Sequence, residues 1–284
     1  MPPVVAVIGA GTMGSGVGQR LVERGLQVRA ALAGRSEASV RRARATGMTP
    51  VADREGAEAD IILSIVPPGE AVAVAQRFAP LLAGKGAVYV DCNAVSPETA
   101  IAIGKIIAGS GAAYVDIGII GGPPRPDGYT PALYAAGSHA SRLAALTAHG
   151  LDLRILDGPI GAASALKMSY AGITKGFTAV GAAMMLAANR AGAAGALYQE
   201  LAASQPALLA WLSRQMPGMY GKAYRWVAEM EEIAEFAGGE AATGEIYQAI
   251  ARFYAGMAQD FAGPNEHTAT LTEFVRSPAR RAAE

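Results

Sequence analysis

The segment "ALKMSYAG" (165–172) places a lysine among small and apolar residues that have helical spacing. Burial of an ammonium group costs several kcal/mol of hydration unless another group compensates for it. Lys167 is therefore either badly placed or employed in chemistry, and a lysine in such a place could donate a proton when a substrate is reduced and accept one when a substrate is oxidised. Tyr170, one helical turn further along, is predicted to orient the substrate oxygen or to share in the proton transfer.

Polar side chains recur at helical intervals around this lysine. They are Ser164, Lys167, Tyr170, Thr174 and Thr178. Intervals of three and four residues place them on one helix face, which predicts the wall of a site with Ser164 and Thr174 as substrate contacts. Two alternatives stay open: a hydrated groove, and a lysine that pairs with an acid of another helix.

A glycine-rich loop, "GAGTMG" (9–14), lies between an apolar run at 4–8 and a helical segment that extends to Arg24. In that position the G-x-G-x-x-G spacing favours dinucleotide binding, because glycines permit a tight turn and close approach of a pyrophosphate. The helix N-terminus also attracts anions. The predicted cofactor contacts here are Gly9, Ala10, Gly11, Thr12, Met13 and Gly14.

The segment "LAGRSEAS" (32–39) bears on the choice of cofactor. About twenty residues beyond the loop, an NAD-binding domain carries an acid for the ribose hydroxyl, whereas an NADP-binding domain carries a basic residue. Arg35 and Ser36 stand at this place and predict NADP (NADPH). The alternative is a surface arginine that caps the next helix.

Strand-like apolar runs alternate with Ala-rich amphipathic segments in the first half of the chain. The runs lie at 4–8, 27–32, 61–66, 87–91 and 113–119, with two shorter ones at 132–137 and 151–156. This alternation predicts an α/β fold with a doubly wound parallel sheet. Helical spacing then dominates, so the predicted domains are an NADP-binding Rossmann domain over 1–160 and an all-α substrate and dimerisation domain over 161–284.

The second half is rich in Ala, Gly and Met, and breaks are predicted at 192–195, near 217–218 and at 238–239. Few charges occur over 176–197, so a helix face is predicted to pack on a second copy of the chain, giving a homodimer. The alternative is a tightly packed core within one chain. The last residues, 276–284, are predicted to form a solvated tail.

Composition excludes several kinds of partner. Lys plus Arg equals Asp plus Glu at 24 each, so no basic surface is predicted for nucleic acid. Cys92 is the one cysteine, which predicts a reducing compartment and no internal disulfide. The N-terminus lacks a signal-peptide pattern, and the uncharged run 176–189 is too short for a bilayer, so a soluble cytoplasmic protein without membrane contact is predicted.

No metal site is predicted. The three histidines, His139, His149 and His267, lack ligand spacing. Glu229 and Glu232 share a helix face and could contribute to a site, but a solvated acidic face is the commoner arrangement.

Five segments in order resemble the superfamily of 3-hydroxyacid dehydrogenases and 6-phosphogluconate dehydrogenase, which includes the imine reductases. They are "VIGAGTMGSGVGQRLVERG", "IILSIVPPGEAV", "DCNAVSPETA", "VDIGIIGGP" and "GAASALKMSYAG". The resemblance implies that Val66 and Pro67 border the cofactor ribose and that Asn93 lies beside the nicotinamide, although a loop-capping role for Asn93 is an alternative. It also implies that Lys167 is catalytic.

The same resemblance implies that Ile120, Gly121 and Gly122 contact the substrate, with Asp116 holding their loop. Ile120 replaces a serine of the hydroxyacid dehydrogenases, and Ala171 replaces an asparagine, for which Tyr170 is the predicted substitute. These departures predict a substrate less polar than a simple hydroxyacid or sugar phosphate.

The predicted function is an NADPH-dependent oxidoreductase that transfers hydride between the nicotinamide and a small carbonyl or alcohol carbon, with Lys167 as general acid and base. One alternative is an imine reductase or reductive aminase, although imine reductases generally lack this lysine. The other is a non-catalytic NADPH-binding redox sensor. Substrate, direction and stereochemistry do not follow from the fold.

Overall fold

The computed structural model describes residues 2–276, so the predicted tail lies outside the described residues except for Arg276. The chain divides into two units, residues 1–168 and 169–284. The boundary falls inside a helix that begins at Ala162, a few residues beyond the domain boundary predicted at 160.

Eight strands form one sheet in the first unit. They are β1 (Val5–Ile8), β2 (Val28–Ala31), β3 (Thr49–Val51), β4 (Ile61–Ser64), β5 (Val88–Asp91), β6 (Ala113–Ile120), β7 (Ala132–Ala136) and β8 (Asp152–Ile155). Their spatial order is β3-β2-β1-β4-β5-β6-β7-β8. The first six run parallel, β7 pairs antiparallel to β6, and β8 runs parallel to β7. The prediction of a doubly wound sheet is confirmed, and its chain reversal lies between β1 and β4.

Buried side chains cover both faces of this sheet. Val7, Leu63 and Val90 belong to one apolar cluster, whereas Ile8 and Tyr89 belong to the other. Successive residues of a strand point to opposite faces, so a short strand buried on both sides carries an uninterrupted apolar sequence. This explains why β1, β4 and β5 were recognisable in the sequence.

Six helices connect or flank the strands. They are α1 (Thr12–Glu23), α2 (Glu37–Ala45), α3 (Asp53–Gly56), α4 (Ala71–Leu82), α5 (Pro97–Ala108) and α6 (Ala145–Ala148). The start of α5 follows from its sequence: the Ser96 hydroxyl accepts a hydrogen bond from the Thr99 amide at 3.2 Å, and Pro97 occupies the first helical position. Ser36 caps α2 in the same way, at 3.4 Å from the Ser39 amide.

Six further helices follow within the described residues. They are α7 (Ala162–Arg190), α8 (Ala194–Ser204), α9 (Pro206–Tyr220), α10 (Ala223–Phe236), α11 (Ala241–Ala262) and α12 (Glu266–Val275). The breaks predicted at 192–195 and 238–239 lie at or beside helix ends. The break predicted near 217–218 is wrong, because α9 continues through Pro217 to Tyr220. Met216 and Met219 are fully buried on this turn, and their packing keeps it helical.

Small residues on α7 let neighbouring helices of the second unit approach it closely. A Cβ at Gly172 would lie 2.9 Å from the Tyr247 hydroxyl oxygen, and one at Gly181 would lie 2.7 Å from Leu212. By length and composition alone α7 could span a membrane, yet the core helices of soluble proteins pass the same test.

Candidate active site at the carboxyl ends of the strands

The glycine loop between β1 and α1 has the close contacts that a dinucleotide fold requires. Gly9 has φ +94°, and a Cβ there would lie 2.4 Å from the Ile65 carbonyl oxygen. A Cβ at Gly14 would lie 2.0 Å from the Gly9 carbonyl oxygen, whereas a Cβ at Gly11 would meet nothing within 4 Å. The first and third glycines thus permit the turn and the packing of α1, and the second leaves open space for a ligand.

The N-terminus of α1 offers backbone donors beside this space. Gly11 is the N-cap and has no side chain that could occupy the first amide groups of the helix. Thr12 is exposed, Ala10 is buried, and Met13 packs against the core. Free amides at a positive helix end fit a pyrophosphate, so the residues present fit a nicotinamide dinucleotide.

Two arginines lie near the end of β2, one of which sequence reasoning missed. Arg35 forms an ion pair with Glu70, a partner from the turn before α4. Arg42 of α2 donates to the Ala10 carbonyl oxygen at 2.9 Å and to the Ser39 hydroxyl at 3.1 Å. Arg42 thus links α2 to the glycine loop, a contact over 32 positions that no local motif encodes. Ser36, not Arg35, is the residue that caps α2.

Asn93 joins the ends of β4 and β5. Its side-chain oxygen accepts from the Val66 amide at 2.7 Å, and its amide nitrogen donates to the Ser64 hydroxyl at 3.1 Å. Only 3% of Asn93 is exposed, which favours the loop-capping alternative for its side chain. Through this bond Asn93 fixes the loop containing Val66 and Pro67, the predicted ribose-side contacts.

Asp91, which sequence reasoning missed, is buried at the end of β5. It accepts hydrogen bonds from the Asn93 amide at 3.0 Å and from the Tyr114 hydroxyl at 3.4 Å. Burial, with a smaller contribution from the nearby carboxylate of Asp116, raises the pKa of Asp91 to about 7. Burial also raises the pKa of the neighbouring Cys92 thiol, which makes this cysteine unreactive.

Asp116 of β6 fastens the first turn of α7. Its carboxylate accepts from the Gly161 amide at 2.9 Å and from the Ser164 amide at 3.1 Å, and the Ser164 hydroxyl donates to it at 2.7 Å. Burial raises the pKa of Asp116, and the bonds to Ser164 oppose this rise. Ser164 is only 1% exposed, so the structure gives its hydroxyl a positioning role in place of the predicted substrate contact.

Lys167 lies against the last residues of β6. Its Nζ donates to the Ile119 carbonyl oxygen at 3.2 Å, and its side chain is half-buried. Gly118 makes the approach possible, since a Cβ there would lie 2.4 Å from the Ala163 carbonyl oxygen and 3.2 Å from Lys167 Cβ. The carboxyl ends of parallel strands are where α/β sheets bind ligands, so the ammonium group is placed where a substrate is expected.

The side chains of the predicted polar stripe on α7 do not form one exposed surface, because some are buried and bonded to their own helix. Thr178 is 1% exposed, and its hydroxyl donates to the Thr174 carbonyl oxygen at 2.9 Å. The Thr174 hydroxyl in turn donates to the Tyr170 carbonyl oxygen at 2.8 Å. Tyr170 is 51% exposed. Hydroxyls bonded to their own helix are common in helix interiors, which is why the spacing alone misled.

The turn after β6 is contacted by a further residue, Tyr129, which the sequence did not single out. Ile120 is half-buried, and Gly121 has φ +128°. The Gly122 amide, a predicted substrate donor, donates to the Tyr129 hydroxyl oxygen at 3.2 Å. Tyr129 therefore reaches the predicted substrate loop from the segment between β6 and β7.

Glu229, one member of the acidic pair considered in the sequence, has a partner within the second unit. Glu229 of α10 forms an ion pair with Lys175 of α7, and the Lys175 ammonium lies 5.1 Å from the centre of the Trp226 ring. Both charged side chains are largely buried, so this pair fastens α7 to α10. Over residues 2–276 no group of three or more His, Cys, Asp or Glu side chains could hold a metal ion.

Two family descriptions match the chain. Residues 4–147 match the NAD binding domain of 6-phosphogluconate dehydrogenase. Residues 188–257 match a domain of unknown function, DUF1932.

Known proteins are similar over most of their length. An uncharacterised 28.5 kDa protein of Methanothermus fervidus is 28% identical over 190 residues, which cover 66% of this chain and 72% of that protein. A solved conserved protein of unknown function, described as structurally similar to 3-hydroxyacid dehydrogenases, has a TM-score of 0.73 and 26% identity, covering 94% of this chain and 98% of its own.

Mycobacterium tuberculosis 3-hydroxyisobutyrate dehydrogenase has a TM-score of 0.71 at 19% identity, covering 98% of this chain and 100% of its own. At that identity the likeness concerns the fold alone.

Proposed function

Because the chain belongs to the 6-phosphogluconate dehydrogenase-like superfamily of nicotinamide-dependent oxidoreductases, we propose that it transfers hydride between NADPH and a small carbonyl or alcohol carbon, with Lys167 handling the proton. The observation that carries this proposal is the ammonium group held 3.2 Å from the Ile119 carbonyl oxygen at the end of β6. A protonated lysine there is a general acid for an oxygen that gains electrons, and its neutral form is the base for the reverse reaction.

The chain's own residues prepare this proton transfer. Asp116 and Ser164 hold the first turn of α7, which fixes the direction in which Lys167 leaves the helix. The Ile119 carbonyl oxygen orients the ammonium group and leaves two of its three protons for other acceptors. The bound nicotinamide supplies or accepts the hydride. Tyr170, one turn along α7, is proposed to orient the substrate oxygen.

We propose NADP over NAD as the cofactor. Arg35 and Ser36 lie after β2, where the 2′-phosphate of NADP is expected, and Arg42 adds a second guanidinium near the glycine loop. Glu70 neutralises part of this charge through its ion pair with Arg35. Binding of a 2′-phosphate to Arg35 therefore requires that the Arg35–Glu70 pair open or share the guanidinium.

The proposed substrate is less polar than a hydroxyacid or sugar phosphate. Ile120 and Ala171 have no polar side-chain atom, and they stand at the two positions where the resemblance to the hydroxyacid dehydrogenases implies polar substrate contacts. Buried polar contacts that lose their partners are costly, so a site of this composition favours a ligand that does not present matching charges. A cytoplasmic location is proposed for the same protein, because its fold is that of a soluble dehydrogenase and its one cysteine is free.

An NADPH-oxidation screen tests this function directly. Aldehydes, ketones, hydroxyacids and cyclic imines are offered to the protein, the hydroxyacids with NADP. Turnover of a ketone or aldehyde above the imines is the expected result. Better turnover of imines would assign the imine reductase alternative. Equal or better turnover of 3-hydroxyisobutyrate or 6-phosphogluconate would contradict the proposal that the substrate is less polar than these compounds. NADPH binding without any turnover would support the redox sensor.

A further inference from the structure

The segment between β6 and β7 brings a phenol to the turn that follows β6. A Cβ on Gly121 would lie 2.3 Å from the Tyr129 hydroxyl oxygen and 3.1 Å from Pro131 Cβ. With φ +128°, position 121 also disfavours any side chain. Glycine at 121 is therefore what allows the hydroxyl of Tyr129 to enter this turn.

Several bonds hold Tyr129 in this place. Its amide donates to the Asp127 carboxylate at 3.0 Å, and its carbonyl oxygen accepts from the Arg125 amide at 2.9 Å. The Arg125 guanidinium stacks on its ring, 4.5 Å from the ring centre. The backbone turn and the ring are thus both fixed, which lowers the entropy cost of using the hydroxyl as a ligand contact.

A buried arginine ties the same segment to the helix of the cofactor loop. Arg20 of α1 is 7% exposed, and its guanidinium donates to the carbonyl oxygens of Arg125 at 2.8 Å and of Tyr129 at 3.3 Å. A buried guanidinium needs such acceptors to offset its lost hydration. The segment is consequently built onto α1, the helix that begins at the phosphate-binding loop.

The Tyr129 hydroxyl has a proton to offer. Its oxygen accepts from the Gly122 amide at 3.2 Å, and no acceptor for its own proton is found within the described residues. Tyr129 is 38% exposed, so the residue is partly accessible to a ligand. A phenol that is polarised by one incoming hydrogen bond and free to donate another is suited to bind an oxygen or nitrogen acceptor of a ligand.

We propose that Tyr129 is a substrate-contacting residue that supplies the polar side-chain contact which Ile120 lacks. The inference rests on the proposed oxidoreductase function and names a ligand class: a carbonyl or imine compound with a second, uncharged hydrogen-bond acceptor. A neutral acceptor is favoured because the donor is an uncharged phenol, and the neighbouring Arg125 is paired with Asp127 at 3.3 Å.

The test compares Tyr129→Phe with Tyr134→Phe, using the compound with the highest kcat/KM in the NADPH-oxidation screen. Phe keeps the ring beneath Arg125 and all backbone bonds of Tyr129, so the fold is expected to persist. The control residue lies on β7, where its hydroxyl accepts from Arg154 at 2.9 Å. Loss of one hydrogen bond to substrate is expected to raise KM roughly 5- to 10-fold in Tyr129→Phe, with kcat changed less than twofold.

Two further measurements separate a substrate contact from a structural role. The melting temperature and the NADPH dissociation constant of Tyr129→Phe are expected to match those of the control. A KM within twofold of wild type, or a KM increase accompanied by weaker NADPH binding, would overturn the inference while leaving the proposed function standing. Absence of turnover by the wild-type protein on every compound would instead overturn the proposed function, and this inference with it.

Discussion

The glycine loop and the lysine region lie at the same edge of one sheet but are built differently. The loop acts through backbone geometry within six consecutive residues: backbone atoms closely approach Gly9 and Gly14, whereas Gly11 faces open space. The lysine region depends on side chains that meet across 45 to 48 positions, from β6 to the start of α7. A backbone site is encoded by a short motif, whereas a side-chain site requires the fold to assemble it.

This difference explains what the sequence predicted. The strands buried on both faces were recognisable as apolar runs, but β3 was not, because "TPV" is short, carries a proline and lies at the sheet edge. The glycines of the loop were recognisable from spacing. Arg42 and Glu70 were not, since each reaches its partner through tertiary structure, over 32 and 35 positions. Tyr129 was not, because its contact with Gly122 lies within an irregular segment that has no motif. Ser164 had the right spacing for a site wall, yet its hydroxyl donates a hydrogen bond to Asp116.

The largest effect is expected at Lys167, because the proposed function gives the proton transfer to this one side chain. Lys167→Met should lower kcat by roughly 10²–10⁴-fold, the usual contribution of a positioned proton-transfer group, with NADPH affinity little changed. Lys105→Met, an exposed lysine near the end of α5, is the control. Retained turnover in a folded Lys167→Met protein would show that the lysine region is not the chemical half of the site.

The next largest effect is expected for cofactor binding at Arg35. Arg35→Ala should weaken NADPH binding by about 1.5–3 kcal/mol, the value of a hydrogen bond to a charged group, while NADH binding changes little. Arg41→Ala serves as control, because Arg41 lies on α2, is 72% exposed and pairs with Glu37. A wild-type preference for NADH, or equal losses for both cofactors, would reverse the assignment of NADP.

The second unit offers a contrast in burial, since α7 carries exposed apolar side chains at helical spacing. They are Ile173 at 57%, Phe177 at 60%, Val180 at 56% and Met184 at 58% exposure. We propose that a second copy covers them, so light scattering at low micromolar concentration should give twice 29.0 kDa. Phe177→Asp should weaken the dimer by at least ~1.5–3 kcal/mol, the value of one buried phenylalanine.

The control for that variant is Ile246→Asp on α11, an equally exposed apolar residue at 55%. A monomer of 29.0 kDa in the wild type would refute the dimer. Equal dissociation by both variants would show that the effect is not specific to α7.

Measured per pH unit, the smallest expected effect is a pH dependence of stability that originates at Asp91 of β5, which lies in the sheet between the glycine loop and the lysine region. Its pKa in the folded protein, about 7, lies above the ordinary value of 3.8, so the folded state holds the proton more tightly than the unfolded state. This contribution is fully present below pH 4 and is lost as the pH rises toward 7, by at most about 1.4 kcal/mol per pH unit. Asp91→Asn should flatten the slope of unfolding free energy in that window, as measured by urea denaturation at several pH values.

A slope unchanged by Asp91→Asn would mean that Asp91 is already ionised in the folded protein across this range. Asp152→Asn, which replaces a surface carboxylate paired with Arg154, controls for the loss of one acid.

Isotope transfer measures most directly the proposed hydride transfer from the cofactor to a substrate carbon. The protein is given NADPH that carries deuterium on the transferable position of the nicotinamide, together with the carbonyl compound selected by the screen. Hydride transfer predicts an alcohol with one deuterium on the former carbonyl carbon. It predicts no deuterium on that carbon when the label is placed in the solvent water instead. A product that takes its carbon-bound hydrogen from water would contradict it.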